Sequence, residues 1–472
     1  MISDEPSSDF RTEHDSLGEV RVPKRRYWGA QTERCRLNFP IGREPMPREL
    51  IYALALVKKA CAQANLACGV LPAGKVRAIE AVCDEILAGE LDNEFPLPVW
   101  QTGSGTHTNM NLNEVISNRA HVLAGGNLSD NRRQLHPNDD VNRSQSSNDV
   151  FPTAMNVAAH RMLTQHTLCK LRVLRDALAQ KAEEFMPIVK MGRTHLMDAT
   201  PLRLGQEFSG YVAQLDQRSS AIEIANRRLS AVALGGTAVG TGLNAPAGFA
   251  ECAVARLCEL TGLHFVPSSN TFAGQAAHDD LVEASGALKN AAVALMKVGN
   301  DLRLLCSGPR AGLGELILEP REPGSSIMPG KVNPTQIEAL TMVCAQVIGN
   351  DAAATIAGLS GQLELNAFKP VLIFNLLMAA RNLGDACESF AERGIAGLEA
   401  DVDMIGQHLQ RSLMLVTALS PHVGYEKAAR IAQKAHLERS TLRQAALALG
   451  WVSAEDFDRW VDPTRMLGPV QK

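Results

Sequence analysis

The sequence predicts a mainly α protein built around a central bundle of long helices. Three observations carry this. Aromatic residues are only 4% of the chain while Ala and Leu dominate, whereas strands draw on aromatic and β-branched side chains. Apolar residues recur every seven positions through the middle of the chain, the spacing of helices packed at small crossing angles. Strand signals are sparse, and Gly- and Pro-rich breaks separate the periodic tracts.

The elements follow in order. Residues 1–145 read as a mixed, mostly helical domain, with short helices over 50–68 and 74–88 leading into the polar stretch WQTGSGTHTNMNLNEV. Residues 146–366 hold the bundle. Its first helix carries Leu171, Leu174, Leu178 and Phe185. The second carries Phe208, Leu215, Ile222 and Leu229, with Tyr211, Ala225 and Val232 as companions and Arg218 interrupting them. The third carries Leu288, Leu295 and Leu302, with Val298 and Leu305, and the fourth begins at Thr335 with Ile337, Leu340, Cys344 and Val347 on one face. Breaks at 191–201, 234–248 and 319–334 separate these helices. Residues 367–472 read as a small domain of shorter helices. A chain of 472 residues also agrees with roughly three domains at about 150 residues each.

Composition removes several function classes. A net charge of -4 and a pI near 6.3, with no basic stripe, argue against a nucleic-acid partner. Ten scattered cysteines form no CxxC pair and no zinc or iron–sulfur spacing. They read as small buried hydrophobes in a reducing compartment, and no metal or other cofactor is expected. The opening MISDEPSSDFRTEHDS is acidic and has neither an apolar core nor the Arg-rich character of a targeting leader. No run of about 18 apolar residues stands out, so no spanning helix is expected and a cytoplasmic location follows.

Four polar stretches could hold chemistry. In GSSIMPGKVNP, Ser325 and Ser326 stand in a Gly- and Pro-bounded loop, with Lys331, Val332 and Asn333 close behind. Read alone, the loop suits a solvated surface turn as well as a nest of N–H groups and Lys331 in which a Ser could lose its proton. His195, in GRTHLMDATP beside Thr194, is a candidate acid or base, although a lone His is more often structural. The stretch TGSGTH, with Ser104, Gly105 and Thr106, lacks both GxxxxGK[ST] and GxGxxG, and suits carboxylate recognition better than nucleotide binding. The fourth, HPNDDVNRSQSSND, ends in Ser146, Ser147 and Asn148 at an expected helix N-terminus, where free N–H groups attract anions. No G-x-S-x-G elbow and no HExxH helix is present, which argues against a serine hydrolase and a metallohydrolase.

Together the four stretches resemble the fumarase/aspartase superfamily, and class II fumarases in particular. GSSIMPGKVNP is similar to its signature, and likeness runs from RTEHDSLGEVRVP and WGAQTER to GYEKAARIAQKAH and AALALG. Gly330 and the run PTQIEALT look like fumarase rather than aspartate ammonia-lyase, the nearest alternative activity. A non-catalytic, crystallin-like relative is the alternative of another class. Retention of Ser325, Lys331, Asn333 and His195 argues against it.

The resemblance implies a homotetramer cored by the bundle, each active site shared by three subunits, and reversible anti addition of water to fumarate giving (S)-malate. It implies Ser325 as base, His195 on the acid side, and Glu338 orienting His195. Ser104, Gly105, Thr106, Ser146, Ser147, Asn148, Thr194, Ser326, Lys331, Val332 and Asn333 would hold substrate. His136, Pro137, Asn138 and Asp139 resemble a secondary dicarboxylate site. His107 stands where many relatives carry Gln.

Overall fold

The computed structural model describes residues 9–130 and 132–468. The first eight residues of the acidic opening stretch lie outside them. A hairpin of β1 (Phe10–Asp15) and β2 (Gly18–Pro23) comes first, followed by α1 (Ala30–Asn38), α2 (Arg48–Ala67), α3 (Ala73–Leu87), α4 (Thr106–Leu123), α5 (Ser147–Met162) and α6 (Leu168–Glu184). A second hairpin, β3 (Val189–Thr194) and β4 (Met197–Arg203), runs straight into α7 (Leu204–Arg228). Then come α8 (Phe249–Thr261), α9 (Thr271–Ala276), α10 (Asp279–Leu305), α11 (Thr335–Leu359) and α12 (Lys369–Phe390). Small helices close the chain: α13 (Val402–Arg411), α14 (Ser420–Val423), α15 (Tyr425–Leu437), α16 (Leu442–Ala448) and α17 (Ala454–Trp460). Every sheet among the described residues is two-stranded, so the fold is mainly α.

The seven-residue rows are the buried faces of the long helices. Leu171, Leu174, Leu178 and Phe185 are buried, as are Phe208, Leu215, Ile222 and Leu229, and Leu288, Leu295 and Leu302. The 25 residues of α7 extend about 37 Å. Such a helix is stabilised mainly by packing an apolar face along its whole length.

Packing divides the described residues into two compact units, one drawn from 9–130, 132–169, 220–292 and 344–384, the other from 170–219, 293–343 and 385–468. In the first, α2 packs on α3, α5 and α8, and its Leu50, Leu54 and Val57 are fully buried. In the second, Phe208 meets Phe185 and Tyr211 in edge-on contacts, and a core of Leu415, Leu419, Ile431, Ala446 and Phe457 takes in Met191 from β3.

Three expectations are corrected. Residues 191–201 are not a break but most of the β3–β4 hairpin. Gly, Arg, Thr and Asp hide its strands, which form because Met191 is buried in the small-helix core and Arg193 pairs across to Asp198. After residue 367 the chain first makes the 22-residue α12 rather than only shorter helices. Finally, α11 is long and apolar enough to match a membrane span, with a mean hydropathy of 1.3 over 18 residues of which only 33% are buried. Its apolarity comes from Ala, Val, Ile and Met interleaved with small polar residues, which is why no continuous apolar run stands out. Of the ten cysteines, Cys35, Cys61, Cys83, Cys344 and Cys387 are buried as expected, whereas Cys169 is exposed.

Candidate active site

The first unit brings two of the polar stretches together. Gly105, with φ 77°, turns the chain into α4, and Thr106 is the first residue of that helix. Ser146 caps α5 in a reciprocal box with Asp149, and Ser147 opens the helix. The Thr106 hydroxyl lies 2.7 Å from the Ser147 hydroxyl and 2.8 Å from that of Ser104. Two helix N-termini therefore meet, each carrying roughly half a positive charge, which favours a carboxylate, although the Thr106, Thr108 and Asn148 N–H groups already donate to Ser104, Gln101 and Ser146. Asn148 donates to the Ala238 carbonyl at 2.8 Å.

Glycine is required on this loop for space as well as for conformation. A Cβ on Gly103 would lie 1.4 Å from the Ala367 carbonyl oxygen, and one on Gly105 would lie 2.4 Å from the Phe151 ring. Gly103→Ala must displace the loop, and we expect kcat/KM to fall by about tenfold or more. Steady-state kinetics beside a thermal melt checks this; unchanged kinetics would mean the loop does not touch substrate.

Beneath these N-termini lie groups that the sequence did not advertise. Asp149 is fully buried and accepts from Ser146, Gly235 and Thr237 N–H groups at 2.9, 2.9 and 3.0 Å, although burial still raises its pKa. Lys58, fully buried, donates to Asn142 and Gln145 at 2.7 and 3.0 Å, and burial lowers its pKa to about 8. The only signal in sequence was a Lys on the apolar face of α2. His107 is half-buried against Phe39, and burial lowers its pKa, so it is neutral near pH 7.

His136 caps the turn that follows it, its Nδ1 accepting from Asn138 and Asp139 N–H groups at 3.3 and 3.1 Å. His136, Pro137 and Asn138 line a cavity of about 660 Å³ with Arg132 and Arg133; Asp139 is exposed and is not part of its wall. Arg133, which sequence reasoning passed over, donates to Asn118 at 2.7 Å.

The second unit holds the other two stretches. Thr194 ends β3, and His195 and Leu196 form the turn into β4 with φ of 57° and 59°. Thr194 and His195 are exposed at this tip. The signature loop is closed by the Gly324 N–H donating to the Lys331 carbonyl at 3.0 Å and by the Asn333 amide donating to the Gly324 carbonyl. A Cβ on Gly324 would meet that Lys331 oxygen at 2.2 Å. Within the closed loop, the Ser325 Oγ accepts from the Met328 and Ile327 N–H groups at 3.1 and 3.3 Å.

Ser325 is half-buried, while Ser326, Lys331, Val332 and Glu338 are exposed. Among the described residues, no hydrogen bond or ion pair links His195 to Glu338, Ser325 or Lys331. The second unit offers a hydroxyl held by two N–H donors, an exposed ammonium and an exposed imidazole, groups able to move a proton. The first offers a hydroxyl-rich pair of helix N-termini, which suits a carboxylate. Among the described residues, no group of three or more His, Cys, Asp and Glu side chains could hold a metal ion.

A lyase family model matches residues 18–349, and a model described as the fumarase C C-terminus matches 415–468. The chain is 58% identical to the class II fumarate hydratase of Ralstonia nicotianae, over 97% of this chain and 99% of that one. It is 55% identical to that of Pasteurella multocida, over 98% and 100%. Its structure is similar to that of the class II fumarase of Schistosoma mansoni, with a TM-score of 0.94 and 44% identity over 97% of this chain and 99% of that one.

Proposed function

Because the chain belongs to the class II fumarate hydratase family, we propose that its four polar stretches carry out the anti addition of water to fumarate with Ser325 as base and His195 on the acid side. The enzyme is a lyase that interconverts fumarate and malate, a step of the tricarboxylic acid cycle. In the dehydrating direction, Ser325 takes the C3 proton of malate, and the electron pair passes into the adjacent carboxylate. Lys331 and Asn333 hold the resulting dianionic group, with Ser326 and the Val332 backbone beside them. His195, next to Thr194, delivers a proton through a bound water as hydroxide leaves, and Glu338 orients it. Ser104, Gly105, Thr106, Ser146, Ser147 and Asn148 hold the other carboxylate. The electron pair then returns from the carboxylate to form the C2–C3 double bond as the C2–O bond breaks and water leaves, with no net change of oxidation state and no need of a metal or cofactor.

The observation that carries the Ser325 assignment is the pair of N–H groups aimed at its Oγ. A serine hydroxyl is a poor base in water, and hydrogen bonds to its charged form are what lower its pKa. Those donors, the nearby Lys331 and exclusion of water would together make the alkoxide accessible.

The active site as proposed is shared by three subunits of a homotetramer. Exposure of Thr194, His195, Ser326 and Lys331 in the single chain supports this, since reactive groups work in a dry pocket. The apolar face left open on α11 supports it too. Met342, Ile348, Ile356 and Leu359 are all exposed there, and burying each such side chain is worth about 1.5–3 kcal/mol. His136, Pro137, Asn138 and Asp139 take a second dicarboxylate outside the catalytic pocket. The enzyme works in the cytoplasm with no nucleic-acid or membrane partner.

The test is absorbance of fumarate over time, with the purified enzyme given malate and, separately, aspartate. Fumarate from malate alone is expected. Fumarate from aspartate alone would keep Ser325 as base but replace water by ammonia as the leaving group.

A further inference from the structure

His195 is held in a conformation that its sequence does not favour. A two-residue turn with both φ values positive suits the twist of a hairpin, but Asn and Gly adopt it most cheaply, His less so and Leu poorly. Each residue in this region costs on the order of 1 kcal/mol, and it persists only where surrounding structure over-determines it. Leu196 is 74% exposed and Met197 70%, so apolar burial at the tip does not hold the turn. The constraint lies at the root of the hairpin.

There, β3 presents two cations to one buried carboxylate. Glu315 has no exposed surface. Its Oε1 accepts from the Arg193 guanidinium at 2.6 Å and from the His408 Nδ1–H at 2.9 Å, and the Lys190 ammonium lies 3.0 Å from its Oε2. The groups facing it therefore come from two elements, Lys190 and Arg193 on β3 and His408 on α13. Lys190 also donates to Glu207 on α7 at 2.7 Å, and the Tyr211 hydroxyl reaches Glu207 at 3.1 Å and Asp301 at 3.0 Å. The Glu315 backbone is fixed as well, its N–H donating to the Leu305 carbonyl at 2.9 Å and its carbonyl accepting from Asp401 N–H at 3.0 Å. Burial alone would raise the pKa of Glu315, but Arg193, Lys190 and His408 outweigh it and hold the group down to about 2. It is a fixed anion throughout the working range.

Resting on the reading of His195 as the acid-side residue, we propose that Glu315 is a positioning residue for the hydration step, acting through Arg193 and Lys190 to hold the His195 turn. A buried ion cluster adds little net stability compared with a well-packed apolar one, because desolvation offsets most of the attraction. What it does supply is geometry. Arg193 is two residues before His195, next to the last residue of β3, and a bulge between Met191 and Arg193 shifts the register just before it. With both cations seated on one immobile carboxylate, the strand cannot slip or roll without breaking two charged contacts.

The test is a double-mutant cycle on the full-length enzyme, reading kcat and KM for malate. Glu315→Gln is expected to lower kcat by about tenfold to a hundredfold, the usual cost of misplacing a reacting group by an ångström. KM should move less than kcat. In a His195→Asn background, Glu315→Gln should cost little more, because the group it positions is already gone. Arg193→Lys, which keeps the charge but not the reach, should show the same non-additivity and serves if Glu315→Gln does not fold. An equal loss in both backgrounds, or a normal rate in Glu315→Gln, overturns the proposal and shows a purely structural cluster. A normal rate in His195→Asn alone instead removes the acid-side assignment beneath it.

Discussion

Replacing Ser325 by Ala is expected to lower kcat by roughly 10²- to 10⁴-fold, the usual contribution of a positioned general base. Stability and assembly should hardly change. The side chain is half-buried, and the two N–H groups that it accepts from, on Ile327 and Met328, lie on an exposed loop where water can replace it. The loop itself is closed by Gly324, Lys331 and Asn333, none of which uses the serine hydroxyl. The check is fumarate absorbance under saturating malate, beside a melt and a sedimentation run. A near-normal rate would remove Ser325 as base and leave Lys331 or His195 to take the proton.

Mixing two dead enzymes is expected to give a live one. Ser325→Ala and His195→Asn chains, each nearly inactive alone, should regain activity when unfolded and refolded together or coexpressed. If the Ser325 and His195 of one site come from different subunits, half of the sites receive an intact serine and half of those an intact histidine. Random assembly then restores about a quarter of the wild-type rate, as a closed symmetric oligomer with shared sites requires. No recovery at all would place both residues of a site on one chain. The prediction needs only that the two groups are contributed separately, and their lack of any mutual contact in the described chain is consistent with it.

Much of the fold was legible because helical packing writes itself into sequence as a period. Leu215 and Ile222 lie on one face of α7, so their spacing announced both the helix and its buried side. The start of α5 was legible for a chemical reason, since Ser146, Ser147 and Asn148 are residue types that cap a helix, and Ser146 does so. The β3–β4 hairpin was not legible. Its strands carry Lys190, Gly192, Arg193 and Asp198, poor strand residues on any local scale, and they pair because Met191 enters a core made by helices more than 200 residues later.

By itself, the sequence determined that the chain is mainly helical and that its middle holds long helices, and it singled out Ser325, Lys331, Asn333, His195 and the hydroxyl-rich turns as the candidates for the chemistry. Those are local facts, fixed by periodicity, by caps and by residue type at short spacing. Tertiary structure alone decided that Thr106 meets Ser147 across 41 positions, that Lys58 is buried beneath Asn142, and that Glu315 gathers Lys190, Arg193 and His408. A glutamate in GLGELILEP looks like any other until burial removes its water. Desolvation then forces distant charges to converge, because an unpaired buried carboxylate costs more than ordering the cations that satisfy it.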